Sequence, residues 1–123
     1  MRIETIQYFT EKEDEVVDLL IEIGTKRTVA KLLVFLANVS PASSRDIERG
    51  TDMRQPEVSI AMKYLLDRSW IKVRAEPAEH KGRPKKIYEL AVPMKKIMDS
   101  IEKDKNQETK DQLALVKKMR DYV

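Results

Sequence analysis

Cysteine is absent from the 123 residues of this chain, and histidine occurs once, at His80. The lack of thiols excludes disulfides, thiolate metal sites and a cysteine nucleophile, and one histidine lacks the partners of a catalytic or metal centre. No run approaches the 18 apolar residues of a membrane span, and no apolar segment with a cleavage site opens the chain. We therefore expect a cytoplasmic protein that is not an enzyme and has no catalytic residue, metal or cofactor.

Aromatic residues are also scarce, at 6% of a chain that is 41% apolar and 37% charged. A chain of this length forms one core, which Leu, Ile, Val and Met must fill. The net charge of +3 is unevenly distributed: residues 1–25 carry 2 basic and 7 acidic side chains, residues 26–93 carry 14 and 8, and residues 94–123 carry 8 and 6. The positive middle segment suits a polyanionic partner.

The first 24 residues predict a helical arm. Thr10 and Glu13 have the spacing of a capping box, and Gly24 is placed to end the helix that they open. Thr25 can cap a second helix over residues 26–38, which is apolar on nearly all sides and is therefore expected to lie centrally.

Two further helices are predicted after a loop. A short helix covers about residues 44–49 and is closed by Gly50. A third helix begins near Gln55, where Pro56 is tolerated in the first turn. Its apolar stripe ends at Trp70, which we expect in the core.

The period of the pattern then changes from helix to strand. From Ile71 to Ala75, apolar and charged residues alternate, and a second strand is predicted over residues 86–92 after an extended polar loop. The order of the predicted helices and strands along the chain indicates a mostly α fold with a small β-hairpin. Residues 25–93 would form a winged helix-turn-helix, with flanking N- and C-terminal helices.

The third helix is expected to bury one side and to leave the other free for the DNA major groove. Its buried side would carry Val58, Met62 and Leu65. Five residues lie on the free side or at its first turn: Arg54, Gln55, Ser59, Ile60 and Lys63. Arg prefers guanine, Gln can address adenine, and an exposed Ile can lie against a thymine methyl group.

The segment DMRQPEVSIAMKYL, residues 52–65, resembles the recognition helix of ArsR-type winged-helix transcription regulators. KGRPKKIYEL, residues 81–90, is similar to the wing of many archaeal regulators of the ArsR- and TrmB-like superfamily. The resemblance covers about residues 25–92 and implies groove-facing positions for Gln55, Ser59 and Lys63, and a wing tip at Arg83.

Two departures from that family limit what the resemblance implies. Arg54 stands where the family usually has a serine cap and adds a cation. The thiol and imidazole ligands of its metal-sensing members are missing, so no metal-responsive switch is implied.

The positive charge of the hairpin loop is a second reason, independent of the resemblance, to expect contact with DNA. Four cations occur within six residues there: Lys81, Arg83, Lys85 and Lys86. An Arg on such a tip suits a narrow minor groove, and Lys72 or Arg74 can add general affinity. The simpler interpretation is that the loop is only a solvated turn.

The start of the short helix offers a second set of candidate contacts. Ser43 and Ser44 can present hydroxyls and backbone amides to a phosphate, and Arg45 beside them adds a cation. The competing interpretation, which we favour, is that the two serines are helix caps.

The flanking segments, residues 1–24 and 94–123, carry more apolar residues than a compact domain needs. The C-terminal segment is predicted as two helices separated by a polar break at residues 102–109. The excess apolar residues are Val16, Leu20, Ile23, Ile97, Ile101, Leu113, Val116 and Met119. We expect these segments to form a two-fold homodimer interface, and the alternative is that they fold back on their own monomer.

Together these features predict a nucleoid-associated, homodimeric regulator of transcription that binds specific double-stranded DNA. The alternative is a winged-helix adaptor that binds other proteins in a transcription or replication assembly. The sequence leaves the operator, the direction of regulation and any small-molecule effector open.

Overall fold

The computed structural model describes residues 9–78 and 82–123 of the chain. These residues are mostly helical, with a small antiparallel sheet, as the sequence predicts. The helices are α1 (Glu11–Glu22), α2 (Arg27–Asn38), α3 (Ser44–Thr51), α4 (Gln55–Asp67) and α5 (Met94–Arg120). The strands are β1 (Ala42–Ser43), β2 (Ile71–Glu76) and β3 (Lys85–Leu90). The chain divides into an N-terminal unit that ends at Ala91 and a C-terminal unit that begins at Val92.

The predicted capping box opens α1. The Thr10 amide donates a 3.0 Å hydrogen bond to the Glu13 carboxylate, and the Glu13 amide donates to the Thr10 hydroxyl. The Thr10 hydroxyl also donates to the Glu13 carboxylate at 2.7 Å, and this bond, together with the one from the Thr10 amide, lowers the pKa of Glu13. Gly24 follows the helix with a φ of 105°, a conformation that favours glycine. Val17 and Leu20 are buried where α1 packs on α2.

Helix α2 is the central helix of the N-terminal unit. Seven of its residues are buried: Val29, Ala30, Leu32, Leu33, Val34, Phe35 and Leu36. The predicted cap at Thr25 is wrong, because the N-cap is Lys26 and no side chain bonds the first turn there. Thr25 instead donates its amide to the Leu20 carbonyl at 2.9 Å, so it belongs to the end of α1.

Gly50 does not close α3, contrary to the sequence prediction. The helix continues to Thr51, and Asp52 takes the left-handed conformation after it, with φ of 53°. Gly50 lies within the helix, and this position requires a glycine because a Cβ atom there would overlap the Phe35 ring of α2. The glycine therefore allows α3 to approach α2 closely.

The sheet has the strand order β1-β3-β2, all antiparallel. The sequence did not predict β1, which lies in the segment interpreted as a loop and pairs Ala42 with Tyr88. Strand β3 runs from Lys85 to Leu90 rather than over residues 86–92. Apolar and charged residues alternate along β2 in sequence, but buried and exposed side chains do not: Ile71 is buried, whereas Val73 is 44% exposed.

Helix α5 is continuous over 27 residues, so the predicted break at residues 102–109 is wrong. That stretch contains neither Gly nor Pro, and its polar residues favour solvent exposure without ending a helix. Side-chain pairs one turn apart support it, such as the 3.2 Å contact between Lys105 and Glu108. No helix formed by residues 9–78 and 82–123 has both the length and the apolar character to cross a membrane.

Candidate nucleic-acid interface

Helix α4 divides into a buried side and an uncovered side, as its sequence predicts. Its buried residues are Val58, Ala61, Met62 and Leu65. Gln55, Ser59 and Lys63 follow one another at four-residue intervals and are all exposed. Ile60 is beside them and is 68% exposed. The residues that could address bases therefore share one uncovered side of a firmly packed helix.

The first turn of α4 is capped although position 54 is an arginine and not the serine that is usual in the family it resembles. The Arg54 amide donates a 3.0 Å hydrogen bond to the Glu57 carboxylate, three residues ahead. Pro56 lies in the first turn, where no amide donor is needed. Glu57 thus supplies the cap, and the Arg54 side chain remains exposed.

The polar side chains on the uncovered side of α4 bond to one another. Gln55 Nε2 donates to Ser59 Oγ at 2.7 Å, and Lys63 Nζ donates to Asp67 Oδ2 at 3.2 Å. The side chains of Lys63 and Asp67 are 79% and 65% exposed. Surface pairs of this kind are weak, so these groups can exchange their partners for a ligand at little cost.

A groove of about 440 Å³ lies between α3 and β3, within the N-terminal unit. Its lining residues are Ser43, Ser44, Arg45, Asp46, Arg49, Lys85 and Lys86. Four of these seven carry positive charge and one carries negative charge. The fold therefore brings together basic residues that are 40 positions apart in sequence. Sequence reasoning missed Arg49, which lies one helical turn after Arg45 and could have been found by that spacing.

Ser43 acts as the cap of α3. Its Oγ accepts the Asp46 amide at 3.2 Å, and its amide donates to Asp46 Oδ2 at 3.1 Å. The Ser43 side chain is buried and its hydroxyl is engaged, so we remove this hydroxyl from the candidate phosphate contacts. The capping interpretation is confirmed for Ser43 and wrong for Ser44, which is not the cap. Ser44 is the first residue of the helix and is half-buried.

The β2–β3 hairpin presents Arg83, Lys85 and Lys86 as exposed side chains. Lys81 and His80 lie outside the described residues. Arg74, predicted as a source of general affinity, contacts the carboxylates of Glu89 and Glu76, each at 3.2 Å. The hydrogen bonds that Arg74 donates to Glu89, and secondly to Glu76, raise the pKa of Arg74. Arg74 therefore joins the two strands, and Lys72 is the better candidate for a free cation.

The end of α4 is fixed to the start of β2 by aromatic contacts. The Arg68 guanidinium lies 4.6 Å from the Tyr64 ring centre and 5.2 Å from that of Trp70. Such cation–π contacts favour one orientation of the chain. Trp70 is buried, as expected of a core residue.

Among residues 9–78 and 82–123, no three His, Asp or Glu side chains form a group that could hold a metal ion.

Comparison with known proteins gives no independent assignment of these features. No protein-family model matches the chain, and no curated protein is significantly similar to it.

Proposed function

We propose that the N-terminal unit is a winged helix-turn-helix that binds duplex DNA, and that the protein regulates transcription. In this proposal α3 and α4 are the helix-turn-helix, and the β2–β3 hairpin is the wing. Helix α4 enters the major groove, and the wing lies on the adjacent minor groove or backbone. The observation that carries the proposal is the uncovered polar side of α4, held outward by four buried residues.

Helix α4 would read the bases from its N-terminal half. The carboxamide of Gln55 can make a bidentate contact with adenine once it leaves Ser59 Oγ. The exposed Arg54 side chain can reach guanine or a phosphate.

The groove between α3 and β3 would hold the DNA backbone. Arg45 and Arg49 come from α3, and Lys85 and Lys86 come from β3, so the four cations can approach one backbone segment from two sides. Phosphate contacts fix the position of a protein on DNA and contribute to affinity for every sequence. The groove therefore supplies general affinity, and α4 supplies specificity.

The salt dependence of DNA binding tests this role of the groove. Arg45→Ala combined with Lys85→Ala should weaken binding to all duplexes. The negative slope of log K against log salt should become shallower by about two, since each phosphate contact contributes about −0.9 to it. The charge-matched control is Lys95→Ala with Lys96→Ala, two exposed residues of the C-terminal unit. Fluorescence anisotropy with duplexes of random sequence measures both. Equal slopes for the two double variants, or no duplex binding by the unmodified protein, would contradict the proposal.

A protein-binding adaptor is the second candidate, and one observation favours it. Three apolar side chains are substantially exposed near the proposed interface: Ile60 at 68%, Tyr64 at 40% and Val73 at 44%. An adaptor would use them against a protein and would bind duplex DNA weakly and without sequence preference. The dependence of affinity on sequence therefore separates the two functions.

A further inference from the structure

The groove between α3 and β3 holds four exposed cations that the neighbouring acidic residues do not pair with. They are Arg45 and Arg49 of α3 and Lys85 and Lys86 of β3. None of the four forms an ion pair with a carboxylate of residues 9–78 or 82–123. The groove therefore concentrates positive charge that direct contacts with these carboxylates do not neutralise.

Two acidic residues placed beside these cations bond elsewhere. Asp46 also lines the groove, but its Oδ2 accepts the Ser43 amide at 3.1 Å in the cap of α3. Glu76 is opposite Lys85 in the register of β2 and β3, but its carboxylate contacts Arg74 at 3.2 Å. The hydrogen bonds of the fold thus hold both acids away from the groove cations.

The position of Arg45 is unfavourable for α3 when no anion is bound. Arg45 is the second residue of the helix, where the positive end of the helix dipole repels a cation. Arg49 lies one turn later, and like charges at this spacing also repel each other. Arg45 therefore lowers the stability of the free protein, and local conflicts of this kind occur at functional sites.

We propose that the groove binds a free anion with two joined phosphate groups, such as pyrophosphate or a nucleoside diphosphate, and that this anion competes with DNA. The lining carries four positive charges and one negative charge, a net charge of +3. One phosphate monoester carries about −1.5 to −2 at pH 7, so two joined phosphates match the groove better than one. The competition with DNA rests on the proposed function, whereas binding of the anion does not.

The lining also indicates which part of such an anion is recognised. The seven described lining residues are serine, arginine, aspartate and lysine, and none of them is aromatic or apolar. A nucleobase would gain no stacking contact from these side chains, whereas phosphate oxygens accept charge-assisted hydrogen bonds from arginine and lysine. The groove should therefore bind pyrophosphate and ADP with similar affinity.

Calorimetric titration of the full chain with pyrophosphate, without DNA or divalent cations, tests the site. The unmodified protein should bind one pyrophosphate per chain, more tightly than orthophosphate. Arg45→Ala combined with Lys85→Ala should weaken this binding about tenfold, because charge-assisted hydrogen bonds are lost. The matched control, Lys95→Ala with Lys96→Ala, should bind as the unmodified protein does. Equal binding by the two double variants, no preference over orthophosphate, or binding of ADP without pyrophosphate would overturn the proposal.

Thermal unfolding gives a second readout and checks that the variants fold. Arg45→Gln removes the charge but keeps a side chain of similar helix propensity. In buffer without phosphate anions, this variant should unfold at a slightly higher temperature than the unmodified protein. Pyrophosphate should raise the unfolding temperature of the unmodified protein and have little effect on the variant. The opposite order in phosphate-free buffer, or an equal response to pyrophosphate, would remove Arg45 from the anion site.

Anisotropy titrations of duplex DNA in the presence of pyrophosphate test the competition. With ionic strength held constant by chloride, pyrophosphate should weaken binding to preferred and unrelated duplexes by the same factor, because the groove supplies general affinity. The double variant Arg45→Ala with Lys85→Ala should show little of this decrease. No decrease beyond that caused by chloride alone would overturn the competition.

These outcomes separate the anion site from the proposed function. A protein that binds pyrophosphate in the groove but no duplex would remove the proposed function and leave the anion site standing. A protein that binds duplex DNA but no pyrophosphate would do the reverse.

Discussion

Helices α4 and α5 each leave one side uncovered, but the chemistry of the two uncovered sides differs. The outward side of α4 carries Gln55, Ser59 and Lys63. The C-terminal half of α5 instead exposes leucine, valine and methionine side chains. Polar side chains lose little free energy by remaining in water, so the side of α4 gains most from a partner with complementary charge and hydrogen bonds. Apolar side chains gain by leaving water, so the exposed apolar residues of α5 gain most from another apolar surface.

The two helices also differ in how they are anchored. Four residues of α4 are buried, and they extend from Val58 to Leu65. In α5, all of which is described, Ile97 is the one buried residue, and it lies in the first turn. Helix α4 is therefore positioned by its own unit before any ligand arrives, whereas the C-terminal half of α5 contains no buried residue.

The largest effect that the comparison predicts comes from the inward side of α4. Leu65→Ala removes a fully buried side chain and should lower the free energy of unfolding by about 2–5 kcal/mol. Ser59→Ala, on the outward side of the same helix, should change it by less than about 0.5 kcal/mol. Chemical denaturation measures both. Similar losses for the two variants would mean that the two sides of α4 are not distinct.

An intermediate effect is predicted for base recognition. Gln55→Ala should weaken binding to the preferred duplex by about 1–3 kcal/mol, because a bidentate contact with one base is lost. Binding to unrelated duplexes should change little. Competition titrations with both kinds of duplex measure the difference, and an equal loss on both would remove Gln55 from the specificity-determining residues.

The smallest effect is predicted at the end of α4. Asp67→Asn removes the ion pair with Lys63, which as an exposed i,i+4 pair contributes about 0.3–0.5 kcal/mol to stability. The same change frees Lys63 and removes a negative charge from the uncovered side of α4, so duplex binding should become slightly tighter at low salt. Anisotropy titrations and thermal unfolding of the same variant measure the two opposite changes. Weaker binding would show that Asp67 positions Lys63 for DNA.

Local sequence signals predicted the start of α1, the start of α4 and the two sides of α4. The start of α1 and the two sides of α4 depend on residues three or four apart, as with Thr10 and Glu13, and Pro56 marks the first turn of α4, so the sequence contains this information directly. Gly50 shows where this fails. Position 50 requires a glycine because the Phe35 ring of another helix lies against it. No local pattern distinguishes a glycine that ends a helix from one that allows another helix to pack closely.

Strand β1 and the groove between α3 and β3 have the same origin in tertiary structure, whereas the continuity of α5 has a local cause. Strand β1 is two residues long and exists because it pairs with Tyr88 and Ile87 of β3, which lie over 40 residues away. The polarity of residues 102–109 predicts a break in α5, but the stretch contains only helix-compatible residues and the helix continues through it. The groove between α3 and β3 likewise depends on distant residues, so its cations were predicted individually and Arg49 was missed.

Selection of bound sequences from a pool of random duplexes tests the central claim most directly. At about 150 mM salt, where purely electrostatic binding is weak, the protein should retain duplexes that share a short motif, and Gln55→Ala should lose the preference at one or two positions of that motif. Retained duplexes with the same sequence composition as the starting pool, or no retained duplex at all, would contradict the assignment of α4 as a helix that reads DNA.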